Sequence, residues 1–317
     1  PEGWWLLHDC SYWGTPHTAA AYSGDTYYSV AAVDKEGRES HLAAPGYLAY
    51  GKDAVKLAIH RDYAVMTLIG DGPIQLLRWD GEIGTHPYGV RNLRFPGYRP
   101  SFAGIAINSD HRLVMTDPFN HVLAFYDDRG ELTELVPHRD DWPGFASDKE
   151  GEFYAPWDVA VDAAGRIYVA DFGNDRVQIF DASSRYLGLL DADFPFRGPH
   201  ALGYSNGHLC VTDREGRRCR VYEVSGDSPQ FVRQLPPLID ADRGLVSQSG
   251  RIYITGRLAE KMENALLVYA PDGLILEVEM GNLHGPRGLY FFINALGHHY
   301  GYCVNAFPFD LRRQLLE

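Results

Sequence analysis

The chain has 317 residues, 29 Lys and Arg against 42 Asp and Glu, and a formal net charge of −13. That balance excludes sequence-independent nucleic-acid binding, which needs cations to displace phosphate counterions, and it disfavours an anionic membrane surface. Hydrophobic residues make up 45% and charged residues 22%, an ordinary globular composition that excludes wholesale disorder.

The count of 33 Gly and 20 Tyr against 4 Met fits many short strands joined by tight turns. No apolar run approaches the ~18 residues of a membrane-spanning helix. The chain opens on Pro1 with no signal-like segment and reads as processed or trimmed.

Residues 1–45 stand apart from the rest and are expected to form a small N-terminal β segment. Within it, TYYSVAAVDKEGRES (Thr26–Ser40) resembles the final strands of a fibronectin type III domain; the alternative is a hairpin packed on the flank of the main body. Trp4, Trp5 and Trp13 read as aromatic anchors at a seam.

From Val55 onward one pattern recurs: strand, turn, strand, polar turn, strand, and a weaker outer strand. The clearest copy is YAPWDVAVDAAGRIYVADFGNDRVQIFDASSRYLG, Tyr154–Gly188. Its strands are predicted at Val159–Val161, Ile167–Ala170, Arg176–Phe180 and Tyr186–Leu190, with turns at Gly165 and Asp171–Asp175. Equivalent positions are Val55, Ala103, Trp157, His200, Arg243 and Arg287, spaced by 48, 54, 43, 43 and 44 residues. Six four-strand copies with a period in the forties predict an all-β, six-bladed β-propeller over residues 46–317.

The last copy has three legible strands, at Leu289–Ile293, Tyr300–Val304 and Leu311–Leu315. Gly46–Tyr50 is the expected donor of its missing outer strand, because an unpaired edge otherwise remains.

The unit PWDVAVDAAGRIYVADFGNDRVQIF resembles the NHL repeat, and PHALGYSNGHLCVTDREGRRC is similar to the peptidyl-α-hydroxyglycine α-amidating lyase domains of that group. The resemblance implies a six-bladed NHL propeller. In those lyases three histidines, each in a Pro-His-apolar motif, hold zinc, and a catalytic arginine follows in a Cys-Val-x-Asp-Arg-Glu motif. Here His200 matches one zinc histidine and Arg214 the arginine.

The other two zinc positions fall on Ala103 and Arg287, and Phe172 stands where the lyase tyrosine would lie. A catalytic zinc needs three protein ligands and an open position. The resemblance thus extends to the scaffold and not to the reaction, unless His121, His284, His298 or His299 rebuild a centre. Zinc or calcium is possible on these terms and no cofactor is expected.

One propeller face should carry the starts of the innermost strands and the turns between second and third strands. It is expected to gather Trp157, His200, Arg243 and Arg287, together with the turns at 117–121, 171–176 and 213–218. The connection Glu134–Phe153, with His138, Arg139, Asp140, Asp141 and Trp142, should open there too. His200, Arg243 and Arg287 would form an anion pocket, because guanidinium forks bind carboxylates and phosphates. Alternatively the arginines pair with acids such as Asp158 or Asp242 and close the channel.

Asp117/Asn120 and Asp171/Asn174 read as turn-stabilising pairs rather than calcium ligands. Cys210 and Cys219 flank a hairpin turn and are disulfide candidates, as are Cys10 and Cys303 across the chain-end seam. The lyase resemblance implies a similarly placed pair at 210 and 219. Either bridge points to an oxidising compartment.

The expected function is a non-catalytic binding or scaffold propeller of an extracytoplasmic (periplasmic or secreted) protein. Its partner would be another protein, an anionic small molecule or a saccharide, and not nucleic acid. A diverged metal-dependent lyase or hydrolase using His200 and Arg214, and a structural subunit of a larger assembly, are the alternatives.

Overall fold

A computed structural model places strands along the whole chain. It describes side-chain surroundings for residues 102–108, 112–127, 131–137, 145–239, 241, 244–246, 250–254, 256, 267–270 and 272–274. The strands fall into antiparallel sheets in chain order. β1 (Gly3–Cys10), β2 (Tyr27–Asp34) and β3 (Glu39–His41) form the first, of three strands. β4 (Asp53–His60), β5 (Tyr63–Ile69), β6 (Gln75–Arg78) and β7 (Arg91–Asn92) form the second. β8 (Gly104–Ile107), β9 (Leu113–Asp117), β10 (Val122–Tyr126) and β11 (Leu132–Val136) form the third.

β12 (Pro156–Val161), β13 (Ile167–Asp171), β14 (Arg176–Phe180) and β15 (Tyr186–Leu189) follow. Next come β16 (Pro199–Ser205), β17 (His208–Asp213), β18 (Arg218–Glu223) and β19 (Gln230–Gln234). β20 (Leu238–Ile239), β21 (Gly244–Val246), β22 (Ile252–Leu258), β23 (Ala265–Ala270) and β24 (Gly273–Glu279) make a five-stranded sheet in which β21 and β20 both pair with β22. β25 (Pro286–Ile293), β26 (His299–Asn305) and β27 (Arg312–Leu315) complete the chain as three strands.

The first strands neighbour one another in sequence: β4 lies by β8, β8 by β12, β12 by β16, β16 by β21, β21 by β25, and β25 returns to β4. This circuit of small meandering sheets is the geometry of a β-propeller. The all-β propeller expected from the repeat is the fold observed. The sheet of β1–β3 adds a small antiparallel unit before the repeats, and Thr26–Ser40 falls on its β2–β3 hairpin. The final sheet has three strands as expected; its proposed donor, Gly46–Tyr50, lies outside the described residues.

The core sits between sheets as well as within them. Ala160, Tyr168, Ala170 and Val177 pack with Leu202, Leu209, Val211 and Tyr222 of the next sheet. Val114, Leu123 and Phe125 likewise meet Val159, Ile167, Val169 and Phe180. Alternation along each strand sends one row of side chains toward each neighbouring sheet, so a middle strand such as β13 is buried throughout.

Candidate functional site

Four of the first strands, β4, β12, β16 and β25, share one irregularity. In β12, Pro156 faces Asp171 and Asp158 faces Ala170, which leaves Trp157 as the extra residue of a β-bulge. In β16, Pro199 faces Asp213 and Ala201 faces Thr212, so His200 is the extra residue. Arg287 has the same place between Pro286 and Gly288 of β25. Ala103 donates its N–H to Thr116 O at 3.0 Å, although the ladder partner of Thr116 is Gly104. A bulge takes one residue out of the ladder and re-aims its side chain. Ala103, Trp157, His200 and Arg287 are therefore equivalent in register, as the repeat alignment predicts. In the first copy the bulged residue is Ala54, between Asp53 and Val55, so the aligned Val55 is one residue late. Arg243 lies outside the described residues.

The face is built by latches between sheets. The turn joining β9 to β10 ends on His121 at φ 58°, that joining β13 to β14 on Asp175 at φ 55°, and that joining β17 to β18 on Arg217 at φ 51°. From this left-handed corner each turn reaches the chain entering the next sheet. Ala155 N–H donates to His121 Nδ1 at 3.0 Å, Gly198 N–H to Asp175 Oδ1 at 2.7 Å, and Leu238 N–H to Arg217 O at 2.9 Å. Ala155 and Gly198, two residues before the bulges, are themselves left-handed, at φ 51° and 64°. The turns and the bulged strand starts thus share a face, as expected.

A buried aspartate anchors each turn. Asp117 accepts the N–H groups of Phe119 and Asn120 and the Asn120 side-chain amide. Asp171 accepts Tyr154 N–H at 2.8 Å, Asn174 Nδ2 at 2.9 Å, Arg176 Nε at 2.8 Å and Gln178 Nε2 at 3.0 Å. Burial pushes the Asp171 carboxyl up, while the donors of Asn174, Tyr154 and Arg176 pull it back. Asp213 accepts Arg197 N–H, Gly216 N–H and Arg218 Nε. These carboxylates are committed to protein donors, which is the turn-stabilising role expected of the Asp-x-x-Asn pairs. The end of the long connection is fixed to the same network: Arg176 and Gln178 donate to Asp148, Lys149 and Glu152 carbonyls. Residues 138–144 of that connection, including His138, Arg139, Asp140, Asp141 and Trp142, lie outside the described residues.

Trp157 is half-buried, its ring centroid 5.8 Å from that of Phe172. His200 is half-buried. Phe119, Tyr154 and Phe194 are exposed on the turns and connections of this face. Arg214 is exposed in the β17–β18 turn and donates only its backbone N–H, to Gly198 O at 3.0 Å. Asp158, one of the acids proposed to pair with the axial arginines, is fully buried and accepts Leu202 N–H at 2.9 Å, which ties β12 to β16.

The zinc set of the amidating lyases does not fit this chain, because the other two zinc positions carry Ala103 and Arg287. Among the described residues no three His, Cys, Asp or Glu side chains are arranged to hold a metal. His121 is occupied by its latch to Ala155, and burial lowers its basicity against the pull of Asp117 and Asp171. His284, His298 and the His299 side chain lie outside the described residues.

Cys210 faces Val221 and Cys219 faces Thr212, so the two are diagonal neighbours on one face of the β17–β18 pair. The bridge expected between them is not formed: both are buried free thiols, and the hydrogen bond to Cys219, with burial, holds Cys210 well above the usual thiol range. Cys10 and Cys303 lie on β1 and β26, and their side chains are outside the described residues.

What the repeat did not reveal is the free basic surface of the β17–β18 turn. The string Asp213-Arg-Glu-Gly-Arg-Arg does not say which arginine Asp213 takes; the ladder gives it Arg218, its direct cross-strand partner.

The fold and this repeated corner define a β-propeller protein, with one copy, residues 153–180, matching the NHL repeat. The chain is similar to NHL repeat-containing protein 3 of Mus musculus, 26% identical over 281 residues that span 76% of this chain and 79% of that protein. In fold it is similar to a streptogramin B lyase structure, with TM-score 0.62, 13% identity and 98% of both chains covered. It is also similar to the WD40 β-propeller domain of Doa1, with TM-score 0.60, 9% identity and 91% and 89% covered.

Proposed function

We propose that the chain is a non-catalytic binding or scaffold propeller, with six blades over residues 46–317 and a small N-terminal β segment over residues 1–45. It engages a protein partner or an anionic ligand on the face of the bulges and latched turns. The observation that carries this reading is the repeated bulge. In β12, β16 and β25 it leaves one residue outside the ladder, and these residues are chemically unlike: Trp157, His200 and Arg287. An aromatic ring, an imidazole and a guanidinium make a recognition surface rather than a metal set. Loops on a rigid scaffold are where binding residues concentrate, and because propellers host unrelated activities, function lies in the site and not in the fold.

The test is calorimetric titration of the full chain with glucuronate and with a free-carboxylate tripeptide, against Arg243→Ala/Arg287→Ala and His200→Ala. A loss of binding of tenfold or more supports the axial site; unchanged affinity removes it. Metal analysis of the purified chain bears on the alternative, since stoichiometric zinc would favour a lyase or hydrolase. An extracytoplasmic location belongs to the same reading; it follows only if Cys210 and Cys219, adjacent but unbridged here, are joined in the native protein, which thiol titration of the unreduced protein from its native source tests.

A further inference from the structure

Apart from Arg251, which has an interaction of its own, the arginines of the described residues divide into two groups. Arg112, Arg166, Arg176, Arg185, Arg218 and Arg220 each pair with a carboxylate, and Arg233 donates to Ala270 O. Arg197, Arg214 and Arg217 are exposed and their guanidinium groups make no hydrogen bond or ion pair with the described residues. These three are drawn together by the backbone. Arg214 N–H donates to Gly198 O at 3.0 Å, Glu215 N–H to Arg197 O at 3.1 Å, and Arg217 N–H to Arg214 O at 3.3 Å. Against the exposed Asp193 and Glu215, these three leave the unpaired charge of the rim positive by one, in a chain of net charge −13.

Beside them stands an apolar anchor. Phe194 is 51% exposed, yet it is not loose. The Arg220 guanidinium lies 3.8 Å from its ring centroid and that of Arg218 lies 5.6 Å away. Arg220 also donates to Phe194 O at 3.0 Å, and Arg218 to Pro195 O at 2.9 Å. Two partnered arginines therefore hold an exposed ring in place, while three unpartnered ones flank it. A rigid aromatic at the surface loses little entropy on binding, and arginine and aromatic residues dominate protein interfaces.

We infer that the rim made by residues 191–198 and 213–218 docks an acidic, extended segment of a protein partner, with Arg197, Arg214 and Arg217 taking its carboxylates and Phe194 its apolar side chains. Carboxylate is the group that a guanidinium fork matches with two parallel hydrogen bonds. The exposed Asp193 and Glu215 within the rim, and the acidic chain around it, act against a continuous polyanion such as nucleic acid. A short acidic segment meets only the local cations. The inference rests on the chain being a binding propeller but not on the axial residues.

The experiment uses the full chain and fluorescence anisotropy with labelled decapeptides of alternating Glu and Leu, the same peptides with Lys for Glu, and a ten-nucleotide single strand. The acidic peptide is expected to bind, the basic one not. Arg197→Glu/Arg217→Glu is expected to weaken binding at least tenfold, and Phe194→Ser about threefold, with melting temperatures unchanged. Arg185→Ala, an exposed arginine outside the rim, should leave it unchanged, and His200→Ala/Arg287→Ala is measured beside it. Absence of binding, binding indifferent to peptide charge, indifference to the arginine reversals, or tighter binding of the oligonucleotide overturns the inference. Loss on the axial substitutions alone transfers the peptide to the axial site and overturns the rim while sparing the axial reading.

Discussion

The β13–β14 turn and the β17–β18 turn are built on one frame and put to different uses. Each begins on a buried aspartate, ends on an arginine bound to that aspartate, and carries a left-handed residue just before the arginine. In the first, Asn174, Arg176 and Gln178 all turn inward, onto Asp171 and onto carbonyls of residues 147–152. In the second, Asp213 and Arg218 keep the frame, while Arg214, Glu215 and Arg217 face solvent. The difference teaches that the aspartate–arginine pair holds the blade together and the residues between the pair are free to carry surface chemistry.

The strongest way to break the comparison is to remove the frame. Asp171→Ala leaves Arg176, Asn174, Gln178 and the Tyr154 N–H without their shared acceptor, and is expected to cost about 3 kcal/mol in urea denaturation. Asp213→Ala should cost about as much. A loss under about 1 kcal/mol at Asp213 would show that the two frames are not equivalent.

The chain entering each sheet gives a smaller effect with a contrast built in. Gly198 stands at φ 64°, and a Cβ there would lie 2.9 Å from Phe172 Cε2. Gly198→Ala is expected to lower stability by about 1–2 kcal/mol. Its counterpart Ala155 already tolerates φ 51°, and Ala155→Gly should shift stability by less than about 1 kcal/mol, because relief of the left-handed strain is offset by a more flexible unfolded chain. Thermal melts of the two variants measure both.

The His121 latch sharpens the comparison with pH. Its Nδ1 accepts the Ala155 N–H, so the folded chain favours the neutral ring, and burial lowers its affinity for a proton despite Asp117 and Asp171. Just below the ordinary histidine range the unfolded chain binds more protons than the folded one. Stability therefore rises with pH through that window and is lost as pH falls through it. Denaturation at several pH values should show this slope in the parent chain and a shallower one in His121→Gln. The Asp175 latch of the next sheet has no such group.

The smallest effect is expected at the outward residues. Arg214→Ala and Arg217→Ala should each change stability by less than about 0.5 kcal/mol, whereas Arg176→Ala should cost about 2 kcal/mol. Equal losses at 176 and 214 in the same denaturation assay would erase the distinction between inward and outward turns.

Much of this was legible in the residues. Arg176–Phe180 was expected as a strand and is β14; Ile167–Ala170 lies within β13; the three strands of the last copy fall on β25, β26 and β27. Period-two apolar runs between Gly and Asp-Asn turns carry that signal. The offset in the first copy was not legible, because Ala54 and Val55 are both apolar and only the ladder shows which one is extra. The equivalence of Trp157 and His200 was visible by alignment; its cause, a bulge, was not. Nor could chain order show that Asp213 takes Arg218 and leaves its neighbours free, since that follows from cross-strand pairing.

The bulge has a consequence for how such a chain can change. A residue that belongs to no rung of the ladder can be exchanged without altering the pairing of its blade. The lining of the ring and the architecture of the ring are therefore separately editable. Substitutions at 54, 157, 200 and 287 can change what the chain presents there without touching the rungs of the ladder, which makes those four positions a natural library for redesign.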